Sequence, residues 1–339
     1  GTATNLAFGQ ETADRLLAGN TVVTARAATR DGVTRLTALN LQNPQHRPRR
    51  HPPPRTTGMV RFHELQGKVA LITGAGRRDG LGEGIARRLL AEGCTVVLTD
   101  IGKGRGAEMP VTAVGTDEEM AQVAADLAAA SGGTCVAMAL DVLEEAQVQA
   151  VVAATVERFG RIDILVNNAG IGYLMKALVD VEAQEWDAVL GVNLRGAFLA
   201  TKHAARAMIA AGGGGRIVNI ASQAAKSAFP HASAYCSSKH GLVGLTRVAA
   251  LELGAHGINV NAVCPNHVTT GLGAWQNEYF AAKTGKSVEQ YLADMRARIP
   301  LGRPGLPTDT AAAVAYLCSD DAVYVTGEAL NVSGGEENH

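Results

Sequence analysis

The stretch Lys68-Val-Ala-Leu-Ile-Thr73-Gly-Ala-Gly-Arg-Arg-Asp-Gly-Leu-Gly-Glu-Gly84 decides how the rest of the chain is read. Its first six residues form a short apolar run, and five glycines follow within eleven positions. An apolar run without polar alternation reads as a strand buried on both faces. Residues 83–92 then bring Ile85, Ala86, Leu89 and Leu90 to helical spacing, so the glycines occupy a strand-to-helix turn. Downstream the alternation repeats. Strands are expected at 95–100, 134–141, 164–166, 215–220, 259–263 and 329–332, and helices at 118–130, 144–159, 185–211, 235–256 and 308–317. This pattern predicts an α/β fold: one doubly wound domain with a parallel sheet of about seven strands, covered by helices on both faces.

Residues 1–58 have a different texture. The segment closes on Arg47-Pro-Arg-Arg-His-Pro-Pro-Pro-Arg55, where three consecutive prolines among like charges favour an extended, solvated chain. One helical turn over 14–18 and a short strand over 21–25 are the only elements expected there, neither with an evident partner. The segment is read as a disordered extension, explained by cloning or by translation from upstream of a start at Met59. An organelle-targeting segment is the alternative. The domain proper is then 59–339.

Bulk composition narrows the partners. The chain has 339 residues, 47% hydrophobic and 19% charged, with 31 basic residues against 32 acidic. That balance gives no electrostatic reason to expect nucleic acid or an anionic membrane surface. No apolar run reaches the ~18 residues of a membrane span. The five cysteines, Cys94, Cys135, Cys236, Cys264 and Cys318, are scattered and contain no C-x-x-C pair. Reduced thiols of a cytoplasmic protein fit this better than a disulfide framework or a zinc site.

In a doubly wound fold the ligand sits beyond the carboxyl ends of the strands, and the first strand–helix turn is the usual dinucleotide site. Glycines there let backbone approach a pyrophosphate, and the helix N-terminus offers free N–H donors. Packing alone explains many such turns, and the strict G-x-G-x-x-G spacing is absent. Asp100 sharpens the reading. It ends the second strand of the alternation, eighteen residues after Gly82, where an acid can bond an adenosine ribose. A carboxylate there repels the 2′-phosphate of NADP, so NAD is expected. Arg77 and Arg78, beside the turn, are the features that would favour NADP.

A second stretch carries chemistry. Tyr235 and Lys239 are four residues apart in an expected helix, so their side chains share a face. A nearby ammonium should draw the phenol pKa down from roughly 10. Ser222, thirteen residues earlier, could hold the same substrate oxygen. Alone, this spacing equally describes a tyrosine packed at a helix start.

Together, Thr73-Gly…Gly80-x-Gly82, Asn167-Asn-Ala-Gly170, Asn193, Ser222, Tyr235-x-x-x-Lys239 and Cys264-Pro265 resemble the short-chain dehydrogenase/reductases in order and approximate spacing, over roughly residues 65–335. The resemblance implies a Rossmann-type domain and a residue-by-residue set of roles. Tyr235 would be the general acid/base. Lys239 would lower its pKa and bind the nicotinamide ribose, Ser222 would orient the substrate oxygen, and Asn193 would hold a relay water. Gly74, Gly76, Gly80, Leu81 and Gly82 would line the pyrophosphate. Asp141 and Val142 would meet adenine. Asn168, Ala169 and Gly170 would line the cofactor, although Asn168 fits a strand-tying role equally well. Beyond Pro265, Val268 would bind the carboxamide and Thr270 would lie over the pyrophosphate. Three departures stand out: two extra residues in the glycine turn, a long connection after Asp100, and Asn266 where glycine is usual. At the last, a residue tolerating positive φ is expected.

Residues 266–305 are the expected lid, with helices at 274–284 and 288–298 and with Trp275, Tyr279, Phe280 and Tyr291 as candidate closing aromatics or as plain packing. Gln223 and Asn266 join Ser222 and Tyr235 as substrate contacts. The Ser-Gln-Ala run and the long lid look like the acyloin, diol and polyol dehydrogenases, so a small alcohol or ketone is expected as substrate. An NADP-dependent 3-oxoacyl reductase is the alternative. A cofactor-sensing regulator on the same scaffold would usually lack the tyrosine or lysine. No metal is expected, since His231, His240, His256 and His267 are scattered, though His231 and His267 could reach the cleft. By resemblance, 185–211 and 235–256 pair across two-fold axes in a homodimer or homotetramer. Ala204, Ala205, Ala207, Ala249 and Ala250 suit that contact or internal packing.

Overall fold

The computed structural model describes residues 62–103, 115–172, 175–268 and 270–338, with backbone alone for 22–30, 33–42 and 271–276. Two units are distinguished, Gly1–Met59 and Val60–His339. In the first, β1 (Val22–Arg30) pairs antiparallel with β2 (Val33–Gln42), from Val22 opposite Gln42 to Arg30 opposite Val33. The strand expected at 21–25 is the start of β1, and β2 is its partner. The helical turn expected at 14–18 and the proline-rich run at 47–55 lie outside the described residues.

The second unit is a seven-stranded parallel sheet: β3 (Val69–Thr73), β4 (Thr95–Asp100), β5 (Cys135–Ala139), β6 (Ile164–Asn167), β7 (Gly215–Ile220), β8 (Ile258–Pro265) and β9 (Ala329–Val332). The strand order is β5-β4-β3-β6-β7-β8-β9. The chain therefore winds outward one way from β3 and the other way from β6. Between those strands the loops diverge and leave a crevice.

Side-chain alternation along β3 builds both faces. Ala70 and Ile72 pack into one core with Ile85, Leu89, Val123, Leu127 and Val314. These come from α1 (Leu81–Ala91), α2 (Asp117–Ser131) and the last helix, α9 (Pro307–Cys318). Leu71 points the other way, into a core with Val148, Val152, Leu165, Leu199 and Met208. Those helical residues belong to α3 (Glu145–Phe159) and α5 (Ala197–Ala211). Among the described residues α4 is Ala183–Leu190, α6 is Ser233–Leu253, and α7 (Gly271–Lys283) and α8 (Val288–Arg298) form the lid segment. Ala204, Ala205, Ala249 and Ala250 are buried in the second core, so their small size serves internal packing.

One expected element is corrected. The helix read over 185–211 is interrupted between α4 and α5 by a π turn, Gly191–Gly196. Glycine permits the break. A Cβ on Gly196 would lie 2.7 Å from Val142 Cγ2, so the backbone is drawn against the loop after β5. Inside the turn Asn193 is buried and bonded to Ile171 through both ends of its amide. Such turns frequently sit at functional sites.

Leu71, 1% exposed at the middle of the sheet, tests the layering. Leu71→Ala should cost about 2–5 kcal/mol in urea unfolding, and a loss below about 1 kcal/mol would contradict its central placement.

Candidate active site

The crevice is framed by the ends of β3, β4 and β6. Gly74 has φ +63°, and a Cβ there would stand 2.4 Å from Ala169 Cα, so only glycine allows this contact between the two loops. The Asn168 side chain donates to the carbonyls of Thr73 (3.0 Å) and Gly74 (2.7 Å). Thr73 Oγ1 in turn accepts from the amides of Asn168 and Ala169, each at 3.1 Å. Of the two roles open to Asn168, its amide performs the strand-tying one, and it shapes the crevice from behind.

The glycine turn bulges at Asp79, which adopts φ +55° and absorbs the two extra residues. Its amide donates to Glu83 Oε2 (2.6 Å). Helix α1 then begins after Gly80, which offers no side-chain cap, so no capping side chain covers the α1 N-terminus. Gly82 lies against Ala75, where a Cβ would come within 2.6 Å of Ala75 Cα. A bare helix N-terminus behind closely packed glycines fits a dinucleotide pyrophosphate.

Asp100 lies where the sequence reading put it. Its Oδ2 accepts from the Gly76 amide (2.8 Å) and its Oδ1 from the Ile101 amide (2.8 Å). Burial pushes its pKa up, against those two bonds and the charge of Arg77. Arg78 turns away from the crevice: its guanidinium pairs with Asp126 of α2 at 2.5 Å, and its amide donates to Glu119 (3.0 Å). Most of the long connection after Asp100 lies outside the described residues. Its end returns to the turn, since a Cβ on Gly115 would sit 2.7 Å from the Gly76 carbonyl oxygen. Asp141, at the end of β5, accepts from the Leu143 amide (3.0 Å), and Val142 packs on Gly196.

The tyrosine, lysine and serine come together beyond β7. Ser222 caps the short turn Gln223–Ala225, its Oγ accepting from the Ala224 amide (3.1 Å), and it shares a hydrogen bond with the Tyr235 hydroxyl. Tyr235 lies in the first turn of α6 and Lys239 one turn later, with Nζ 5.6 Å from the ring centroid. Lys239 is 4% exposed, and Nζ donates to the Ile220 carbonyl (2.8 Å). Gly170 faces this group: a Cβ there would be 3.3 Å from Asn193 Oδ1 and 3.6 Å from Lys239 Nζ.

The electrostatics differ from expectation. Burial pushes the Tyr235 phenol up to about 12, and only the Ser222 bond works against it. Burial also lowers Lys239 to about 8. The ammonium was expected to draw the phenol down. Instead both groups are desolvated, and burial disfavours the charged form of each. Asn193 is corrected in part: its Oδ1 accepts from the Ile171 amide (2.8 Å), and its Nδ2 donates to the Ile171 carbonyl (3.1 Å) and Ser238 Oγ (3.0 Å). That side chain braces the π turn.

On the substrate side, Pro265 ends β8, and Asn266 is not among the positive-φ residues. The reason expected for Asn over glycine therefore fails. The Asn266 side chain instead donates to Glu336, and its amide to the Val332 carbonyl (3.3 Å). Val268 bridges to Gly305, and the Thr270 amide donates to the Val268 carbonyl (2.9 Å). Tyr279 Oη reaches from α7 to the Met175 carbonyl (3.1 Å) and meets Phe280 edge-on, while Phe280 stacks on Tyr291. The side chain of Trp275 lies outside the described residues. His267 has its Nε2 buried without a partner, and burial lowers its pKa. Sequence reasoning missed Ser238, the Ile220 carbonyl, and the pair Glu336 and Glu337. Glu337 accepts from Gln223 Nε2 at 2.8 Å. Among the described residues no three His, Cys, Asp or Glu group as metal ligands, and no helix is long and apolar enough to cross a membrane.

Comparison with known proteins agrees with this geometry. A family model described as enoyl-(acyl carrier protein) reductase matches residues 74–337. A putative ketoacyl reductase of Streptomyces coelicolor is 41% identical over 275 residues, covering 80% of this chain and 98% of its own. The D-threitol dehydrogenase of Mycolicibacterium smegmatis is 38% identical over 273 residues, covering 80% and 93%. The crystal structure of an NAD+-bound xylitol dehydrogenase superposes with a TM-score of 0.72 at 32% identity, covering 80% of this chain and all of that one. With the crevice, the glycine turn and the Ser222–Tyr235–Lys239 group in place, the chain belongs to the short-chain dehydrogenase/reductase family of NAD(P)-dependent oxidoreductases.

Proposed function

We propose that the protein is an NAD-dependent dehydrogenase of small secondary alcohols, acting on a diol, polyol or hydroxyketone. The observation that carries the reaction is the hydrogen bond between Ser222 and Tyr235 beside the buried Lys239. Similarity to the threitol and xylitol enzymes supports the substrate class. The nicotinamide, when bound, exchanges the hydride, and the chain's own residues handle the proton. Tyr235 Oη takes the proton from the alcohol oxygen in oxidation and returns it to the carbonyl oxygen in reduction. Ser222 holds the same oxygen. Lys239, fixed by the Ile220 carbonyl, places its charge under the phenol ring and its remaining N–H donors toward the ribose. Because the Asn193 amide is spent on Ile171 and Ser238, a relay water at this residue falls to its backbone carbonyl.

The cofactor is held by Gly74, Gly76, Gly80, Leu81 and Gly82 at the pyrophosphate, Asp100 at the ribose, and Asp141 and Val142 at adenine. Ala169, Gly170, Pro265, Val268 and Thr270 line the nicotinamide half. NAD is favoured because Asp100 is bonded to the turn and Arg78 is paired with Asp126. The NADP-dependent 3-oxoacyl reductase remains the second reading, supported by the ketoacyl reductase relative. A cofactor-sensing regulator is disfavoured by the presence of both Tyr235 and Lys239. A homodimer or homotetramer in the cytoplasm accompanies the reading. Phe198, Val248 and Leu251 expose apolar surface on α5 and α6, and the cysteines are free.

Tyr235→Phe should lower turnover of a polyol panel about 10²-fold or more while calorimetry shows NAD bound as before; full activity would remove Tyr235 from the mechanism. Asp100→Ser should move the ratio of kcat/KM for NAD over NADP about tenfold toward NADP, and an unchanged ratio would break the cofactor assignment. Oxidation needs the deprotonated phenol, which burial opposes, so log kcat/KM for alcohol oxidation should climb as pH rises above neutrality. Ketone reduction, which needs the protonated phenol, should decline at the alkaline end.

A further inference from the structure

After β9, residues 333–337 turn back and carry two carboxylates over the cleft. Gly334 and Gly335 take φ of +64° and +92°. The Leu301 amide donates to the Gly334 carbonyl (3.1 Å), and a Cβ on Gly334 would lie 2.8 Å from Ile299 Cγ2. The turn is thereby fitted to the exit of α8. The buried Ser333 hydroxyl accepts from the Glu337 amide (3.3 Å) and donates to the Glu337 carbonyl (3.2 Å), which also accepts from Asn331 Nδ2 (3.3 Å). With its backbone so held, Glu337 Oε2 accepts from Gln223 Nε2 (2.8 Å) and Ser227 Oγ (2.9 Å). Glu336 Oε2 accepts from Asn266 Nδ2, and its Oε1 from Arg298 Nε (3.4 Å).

A carboxylate accepts hydrogen bonds and donates none. A primary amide bonded to it must offer its NH2 end, which removes the usual ambiguity between the two ends of a glutamine. Gln223 is thus fixed with Nε2 toward Glu337, and its Oε1 takes no bond from any described residue. That oxygen belongs to the residue following Ser222, in the turn that Ser222 caps. It can accept from a hydroxyl but offers nothing to a ketone, ester or thioester oxygen.

We infer that Glu337 is a positioning residue that holds Gln223 as an acceptor at the substrate, so that the enzyme selects substrates with a hydroxyl on the carbon beside the reacting one. This rests on the proposed alcohol dehydrogenase reading and sharpens it: the neighbouring group must be a donor, which a 3-oxoacyl chain lacks. Glu336 acts on Asn266 in the same sense and ties that side chain to α8 through Arg298.

The test compares butane-2,3-diol with butan-2-ol, both with NAD, in wild-type protein, Glu337→Gln, Glu337→Asp and Glu337→Ala. The wild type should prefer the diol in kcat/KM. Glu337→Gln keeps the size but can donate, so Gln223 is released to present either end. The diol-to-alcohol ratio should fall about tenfold, chiefly through a higher KM for the diol. Glu337→Asp, still acceptor-only, should retain part of the preference, which a role in packing alone does not predict. Should Glu337→Ala fail to fold, the isosteric Glu337→Gln carries the test. A wild type that shows no diol preference, or a ratio that Glu337→Gln leaves within about twofold, overturns this inference alone. No turnover of either alcohol by the wild type overturns the proposed function and this inference with it.

Discussion

The site depends on a clamp across the middle of the sheet. Asn168 reaches from the end of β6 to the carbonyls of Thr73 and Gly74, and the Thr73 hydroxyl receives two amides in return. These four bonds cross the point where the strand order reverses. Parallel strands end there with unpaired backbone groups, and loops running to opposite faces would otherwise be free to part. The clamp fixes the glycine turn relative to the 168–170 loop. Gly170 in turn faces Asn193 and Lys239, so the pyrophosphate cradle and the proton-transfer group are referred to one rigid seam.

Around that seam the catalytic group is built from expensive parts. Lys239 is almost wholly buried without an acidic partner, and its one printed bond is to a backbone carbonyl. Burial costs the charged form several-fold more than it costs the neutral one, which explains why lysine moves down and tyrosine up. Such a pair is poised to respond to further charge or further bonds brought into the cleft, more than a solvated pair would be. The adjoining core is also polar at one level. Asn167 donates to Asn219 and Thr201, and Asn219 to Thr246, linking β6 and β7 to α5 and α6 beneath the site.

Much of this was legible in the sequence because fully buried strands write themselves as unbroken apolar runs. Residues 95–100, 215–220 and 329–332 were read with the bounds the structure gives. The tyrosine, lysine and serine were legible through fixed spacing. Other features depend on contacts between distant segments, which periodicity does not encode. The π turn leaves apolar spacing almost intact and is marked only by Gly191 and Gly196. Asn266 was assigned a backbone reason, whereas its role comes from Glu336, seventy residues away. The phenol's pKa was misread because sequence spacing reports the nearest charge and is silent about burial.

The π turn also fixes how the helix on either side of it can change. It holds a longer hydrogen-bond loop than the α-helical turns flanking it, so it stores extra chain within what is otherwise one continuous rod. Removing a single residue between 191 and 196 would let an ordinary ladder close from α4 into α5. The repair would rotate everything beyond it by about 100°, the angle of one residue in a 3.6-residue turn. Leu199, Ala204 and Met208 would leave the core, while Arg206 and Ile209 would turn toward it. The irregularity at Asn193 is therefore locked in place by the packing of the regular helix that follows it.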